Sequence, residues 1–252
     1  MDNIDIQEYF MKRRTVRRFS DRPLTDAELR RVLTAAAKAP TCGNMQLYSI
    51  ILTRDPERKE LLAKQHFCQP ATKAPAILTF CSDFERFTRW CGLRGADAGF
   101  DNLESFIAAT ADAIIFAQQT ATIAEMAGMG TCYLGTVTYN APEIADLLHL
   151  PRLCVPVASL AIGWPAEEGE ETERLDVDAF LHEETYREDS DDEIINFFKV
   201  KEDYPANAGY PAENGKENLA QVFAEVRYPR DMNEEFSAKF ADYLRKSGFL
   251  NH

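Results

Sequence analysis

The run Cys154-Val155-Pro156-Val157-Ala158-Ser159-Leu160-Ala161-Ile162 most constrains what this chain can fold into. A strand with one face in water would alternate polar and apolar side chains. This run is continuously apolar, which fits a central strand covered on both faces. Layers of secondary structure must therefore lie on either side of it, and the rest of the sequence has to supply them.

It supplies helices and short strands in turn. Ile4–Lys12 reads as a short helix with Ile6, Tyr9 and Phe10 on one face. Thr25-Asp26-Ala27-Glu28 is a capping box, followed at helical spacing by Leu29, Val32, Leu33 and Ala36 and stopped by Ala39-Pro40. Ser49–Leu52, Ala76–Cys81 and Cys132–Val137 read as strands, and Pro56–Lys64 and Pro142–Leu148 as helices. The strongest helix begins near Asn102. Leu103, Phe106, Ile107, Ile114, Ala117 and Ala121 are assigned to one stripe, and its alanine-rich remainder predicts burial on most sides. After Gly163-Trp164-Pro165 the character changes. An acidic loop leads to a helix near Glu193–Lys201, a loop over Tyr204–Gly215, and two amphipathic helices between Glu217 and Leu250, separated by Arg227-Tyr228-Pro229-Arg230. The order is α/β. The expected division is a domain over residues 1–189 and a helical extension over 190–252, which packs on the core or on a partner subunit.

Composition removes several classes of function. A net charge of −13 argues against a duplex nucleic-acid partner, which calls for a basic patch. The acidic runs Glu167–Glu171 and Glu188–Glu193 read as solvated. The apolar stretch Ala108–Ala117, broken by Thr110 and Asp112, is too short and too polar to span a bilayer. Met1–Asp5 carries no mark of a secretory leader. A cytoplasmic chain without a membrane partner is expected. The six cysteines make no C-x-x-C and the four histidines no H-E-x-x-H, so no metal site is expected and the thiols should be reduced. With no G-x-S-x-G and no P-loop, the natural option is borrowed cofactor chemistry.

Candidate binding residues lie in a few segments. In Arg13-Arg14-Thr15-Val16-Arg17-Arg18-Phe19, arginine forks and a hydroxyl could form an anion trap; a solvated basic helix end is the other reading. Pro40-Thr41-Cys42-Gly43-Asn44-Met45-Gln46 offers amide donors and acceptors between a helix and a strand, or is a plain loop. Gly128-x-Gly130 follows a helix and precedes a strand, the reverse of a dinucleotide fingerprint, and reads as a helix cap. Gly135, inside the expected strand, could allow a ligand close to the backbone. Phe84, Phe87, Trp90 and Phe100 either line an aromatic pocket or pack on their neighbours.

Taken in order, several pieces resemble the nitroreductase family of flavoproteins. They are Arg13–Phe19; Ala39-Pro40-Thr41-Cys42-Gly43-Asn44-Met45-Gln46; Gly99-Phe100-Asp101-Asn102 before the long helix; Gly128–Gly135; and Ile162-Gly163-Trp164-Pro165-Ala166. Together they span roughly residues 9 to 187 and look most like the larger, NADPH-preferring branch. The resemblance implies an α+β fold, with a central, mainly antiparallel sheet wrapped by helices, and an intertwined homodimer with FMN at the interface. It implies that Arg13, Arg14, Thr15 and Arg17 meet the FMN phosphate, ribityl chain and N1/O2 edge. Pro40, Thr41, Cys42 and Asn44 reach the flavin of the opposite subunit, Gln69 is a further contact, Thr131 and Gly135 flank the ring, and Arg174 matches a late phosphate-binding arginine. Thr172 stands where the family often has lysine, and Cys42 where serine is usual.

The implied activity is a ping-pong oxidoreductase with no catalytic side chain. NADPH or NADH is the co-substrate, and a small molecule (nitroaromatic, quinone or flavin) is the acceptor. Arg227 and Arg230 could bind a 2′-phosphate. The alternatives are a specialised reductive dehalogenase or enoate-type reductase, and a non-enzymatic flavin-binding redox sensor.

Overall fold

The computed structural model describes residues 6–250. The expected helix start at Ile4, the opening Met1–Asp5 and the histidine at 252 lie outside the described residues. By contacts the chain forms two compact units. One gathers the chain up to Glu170 and from Phe236 onward, and the other is Glu171–Glu235. The boundary expected between residues 189 and 190 therefore falls inside the second unit.

In the first unit, β1 (Tyr48–Thr53), β2 (Ala76–Asp83), β3 (Gly130–Tyr133) and β4 (Cys154–Gly163) form one sheet. Its order is β1-β2-β4-β3, and every pairing is antiparallel. The apolar run is thus an interior strand. Alternation along the strands splits the core into two layers. Leu78, Phe80, Leu160 and Ile162 enter one, and Ile77 and Ala161 enter the other. Pro156 has no N–H to give β4's neighbours. The register steps between Phe80 and Cys81 so that Cys81 faces Pro156. On the other side β3 pairs only as far as Leu160, so Pro156 lies beyond the paired stretch.

The helices of this unit are α1 (Ile6–Met11), α2 (Asp26–Ala36), α3 (Pro56–Gln65), α4 (Glu85–Leu93), α5 (Leu103–Met126) and α6 (Ala141–Leu148). α5 and α2 cover the first core layer, while Leu62 of α3 and Ile144 of α6 cover the second. The capping box at Thr25 and Glu28 is present in both directions. Asn102 caps α5 by accepting the Ser105 N–H. At its other end Gly128 adopts φ +82°. The Gly128 N–H bonds the Glu125 carbonyl and the Met129 N–H that of Ala124, a Schellman stop that glycine permits.

Two expectations are corrected. The assigned stripe of α5 is only partly buried. Phe106, Ala117 and Ala121 are buried, whereas Leu103, Ile107 and Ile114 are 48%, 52% and 42% exposed. Ala109, Ala113, Ala117, Ala121 and Ala124 instead make the ridge that meets the core, because small side chains bring a helix axis close to a sheet. In a single chain the helix is therefore not buried on most sides. It is also, at 24 residues, long and apolar enough to cross a membrane, unlike the shorter stretch read from the sequence. The strand expected over 132–137 is the second correction. β3 stops at Tyr133, where its pairing with β4 runs out, and residues 135–140 are a turn. Gly135 is therefore a turn residue.

The second unit holds α7 (Asp191–Glu202), with a capping box at Ser190 and Glu193, α8 (Tyr210–Glu213), and α9 (Leu219–Gln221) running into a π-helical stretch, Val222–Arg227. α10 (Arg230–Ser247) starts in this unit and ends in the first. Its last turn and Phe249 close a third cluster with Leu47, Phe84, Phe106 and Val155.

The alanine ridge has no spare room. An A117L substitution, at a fully buried position, should lower unfolding free energy by about 1–3 kcal/mol in urea denaturation.

Candidate cofactor site

After α1 the chain runs extended. The Val16 N–H bonds the Thr131 carbonyl at 3.1 Å and the Ser20 N–H that of Trp164 at 2.8 Å. Single bridges join Thr15 to Glu170 and Phe19 to Pro165. Val16 is buried against Gly130, where an added Cβ would come within 2.7 Å of it. This anchoring holds the basic side chains in fixed places. Thr15, Arg17 and Arg18 line a cleft of about 430 Å³ with Pro70 and Glu167–Glu170. Arg13 and Arg14 line another of about 450 Å³ with Tyr9, Glu125 and Gly130.

The acidic loop is not simply solvated, as its composition suggested. Glu168 approaches Arg14 at 4.0 Å, Glu170 approaches Arg17 at 3.7 Å and Glu167 approaches Arg18 at 3.7 Å. These pairs are exposed and individually weak, yet they place carboxylates where an anionic ligand would go. Arg13 turns inward. Its guanidinium contacts both Glu125 oxygens at 3.2 Å, and Thr131 donates its hydroxyl to the same carboxylate. Thr131 is fully buried, so its side chain anchors Glu125 rather than facing a cleft. Glu125 was missed in the sequence because it is one acid near a helix end.

Asp112 was missed too. It sits within α5, 2% exposed, and accepts the Cys42 N–H at 2.7 Å and the Leu47 N–H at 3.1 Å. One carboxylate thus clamps both ends of the loop that carries Thr41, Cys42 and Asn44. Inside the clamp Asn44 and Gln46 are left-handed, each at φ +56°. That strain persists only where surroundings enforce it. The signal was an acid inside an apolar helix, which reads equally as a break in hydrophobicity. Pro40, Cys42 and Asn44 are exposed. Asp112 and Glu125 lie about 20 Å apart along α5, at about 1.5 Å per residue. Within one chain, then, the loop and the arginine segment are held at well-separated points of one helix.

A third element meets the Thr15–Arg17 cleft. Gln69, half-buried beside Pro70, donates Nε2 to Thr136 Oγ1 at 3.2 Å, and His66 Nδ1 lies 3.0 Å from the same oxygen. Gly135, exposed, precedes Thr136 in the turn. Burial pushes the His66 imidazole down to about 4. Arg174 belongs to the second unit. There it donates to Thr172 Oγ1 at 2.6 Å and to the Glu173 carbonyl at 2.7 Å, so Thr172 is its immediate partner. In the same unit Arg227 lies over the Tyr210 ring at 4.5 Å, and Arg230 approaches Glu234 at 3.7 Å. The four aromatic residues pack on one another, Phe84, just before α4, on Phe100 at 4.7 Å, and Phe87 on Trp90 within α4 at 5.4 Å.

The donor set fits a phosphate monoester. Arginine forks and a hydroxyl converge on a cleft of suitable size, provided the glutamates withdraw.

Two outcomes follow from this geometry. D112A leaves two backbone N–H groups without their acceptor and should cost about 3 kcal/mol or more. D112N, which can satisfy only one, should fall between it and the wild type in denaturant melts. His66 has a folded pKa of about 4, below its ordinary 6.5. Its neutral form is favoured by folding, so its contribution is complete above pH 6.5 and is lost as pH falls toward 4. Stability should drop by roughly 3 kcal/mol across that window. H66N should show a correspondingly flatter stability profile.

Comparison with known proteins gives the site its context. The chain is 30% identical to a Cr(VI) reductase of a Pseudomonas strain, over 97% of this chain and 98% of that protein. It is likewise 30% identical to an FMN reductase [NAD(P)H] of Bacillus subtilis, over 88% and 93%. A solved Bacteroides fragilis protein is 42% identical with a TM-score of 0.94, covering 97% of this chain and all of that one. The model of the nitroreductase family matches residues 10–164, and those residues hold the arginine segment, the clamped loop, α5 and the Gln69 corner: the chain belongs to the nitroreductase family.

Proposed function

We propose that this protein is an NAD(P)H-dependent FMN oxidoreductase that works as a homodimer. The observation that carries the reading is the division of binding groups along α5. Arg14, Thr15, Arg17 and the Gln69 corner gather at clefts near one end, where Arg13 is locked on Glu125. Thr41, Cys42 and Asn44 are presented outward from Asp112, about 20 Å away along the helix. A site using both sets needs a second copy of the chain. The outward face of α5, with Leu103, Ile107 and Ile114 about half exposed, supplies apolar surface for that copy.

Each group of residues has its own role. Arg14, Thr15 and Arg17 bind the phosphate, the ribityl chain and the N1/O2 edge of FMN. Pro40, Thr41, Cys42 and Asn44 reach the flavin held by the opposite subunit. Gln69 meets the polar edge, and Gly135, without a side chain, leaves the turn open beside the ring. FMN, when bound, supplies the two-electron chemistry between NAD(P)H and a nitroaromatic, quinone or flavin acceptor. Nicotinamide and acceptor use the same place in turn, so the reaction is ping-pong. No side chain has to act as acid or base, and NADPH is the preferred donor. The names of the FMN reductase and Cr(VI) reductase relatives support redox chemistry of this kind.

Absorbance spectra of the purified protein, taken anaerobically during addition of NADPH and then NADH, test the reading. Flavin bands that bleach rapidly support the oxidoreductase, and the faster donor gives the preference. Bands that persist favour a redox sensor, and failure to bind FMN at all sinks the proposal. The acidic loop adds a second test. Glutamates that face the phosphate-binding arginines oppose FMN more than riboflavin, which has no phosphate. An E168Q/E170Q variant should bind FMN several-fold more tightly, with riboflavin affinity nearly unchanged, in titrations at low salt.

A further inference from the structure

His66 is fully buried at the C-terminal end of α3. Its Nδ1 faces Thr136 Oγ1, while its Nε2 has no hydrogen-bond partner among the described residues. An apolar side chain would fill the same space without leaving a buried polar atom unpaired. Stability alone therefore gives no reason for histidine here. The backbone beside it is unusual as well. Phe67 and Cys68 are both left-handed, at φ +53° and +51°. The Phe67 and Cys68 N–H groups close a helix stop on the Lys64 and Ala63 carbonyls, at a place where glycine is the usual residue. Two such residues in succession cost about 1–2 kcal/mol each. Phe67 is 55% exposed, so burial of its ring does not account for the strain.

The corner does accomplish one thing. It folds the chain back so that His66 and Gln69 both reach the Thr136 hydroxyl. The Gln69 backbone is pinned in addition: its N–H bonds the His66 carbonyl at 3.3 Å, and its own carbonyl accepts the Thr72 hydroxyl at 2.6 Å. What remains free is the amide, and Thr136 takes its Nε2 at 3.2 Å. In either tautomer of the neutral ring, Thr136 keeps a lone pair for that donor.

We propose that His66 is a positioning residue. Through Thr136 it holds the Gln69 amide in one orientation, with Nε2 committed inward and Oε1 left as the open end, an acceptor for a flavin N–H or ribityl hydroxyl. This rests on the reading that Gln69 meets the flavin. The strained corner and the buried histidine then act together to set the polarity of that edge of the site.

A double-mutant cycle on FMN affinity tests it, with dissociation constants from the flavin fluorescence of apoprotein titrations and thermal melts as a check on folding. T136V and H66L should each weaken FMN binding about five- to tenfold, the range of one hydrogen bond. In a Q69A background each should change it less than about twofold, because the path ends at Gln69. H66N, whose amide can still meet Thr136, should recover most of the loss. T136V carries the test alone if H66L does not fold. Equal losses in the wild-type and Q69A backgrounds, with FMN bound, would overturn the proposal alone. Wild-type affinity in Q69A, or no FMN binding in any variant, would remove the reading of the site and the proposal with it.

Discussion

The seating of α5 on the sheet through a ridge of alanines governs the rest of this structure. Close approach makes the helix an immobile beam in the core, and the beam carries two carboxylates. Asp112 clamps the loop from Cys42 to Leu47, and Glu125 holds Arg13 and Thr131. A helix does not stretch, so the spacing of these acids sets the distance between the loop and the arginine segment. Had the ridge been leucine, the axis would stand further from β2 and β4, and both attachments would shift together.

Electrostatics works at two depths on the same site. The half-buried Arg13–Glu125 contact is shielded from water and acts as a fixed strut. The pairs between Arg14, Arg17 and Arg18 and the glutamates of 167–170 are exposed, at 3.7–4.0 Å, and can open at small cost. A chain of net charge −13 that binds a phosphate ester must concentrate its cations, and this one does so along a single extended segment. The carboxylates facing that segment limit how strongly it attracts an anion.

Much of this was legible in the sequence where local chemistry decides. The capping box at Thr25 and Glu28, the stop at Gly128 and the interior strand at Cys154–Ile162 depend on neighbours in the chain, and the structure has them. The order of the strands did not follow from periodicity, since any apolar strand can sit beside any other; the resemblance implied only a mainly antiparallel sheet, and the order β1-β2-β4-β3 came with the structure. The burial of α5 was misread because leucine and isoleucine outrank alanine in hydrophobicity, whereas contact with a sheet rewards smallness. The strand ending at Tyr133 and the turn at Gly135 depend on how far β4 offers a partner, a fact of the pairing rather than of residues 132–137. The acids at 112, 125, 167, 168 and 170 looked like interruptions or solvated charge, because their partners lie far away in sequence.

The misread face is itself informative. Leu103, Ile107 and Ile114 lie beside the alanine ridge and opposite Asp112 on α5, so the apolar arc of the helix has a buried side and an exposed side. One side is satisfied by the chain's own sheet. An apolar face belongs in an interior, and the other side, at Leu103, Ile107 and Ile114, stays 42–52% exposed. The exposed loop at Cys42 and Asn44 is fastened to the same helix. Covering the exposed side with a second chain would complete the helix's burial, and the proposed site calls on that same second chain to meet this loop. In the proposed dimer, assembly and cofactor binding are then one equilibrium, each stabilising the other, because the helix that carries the clamp also carries the surface to be covered.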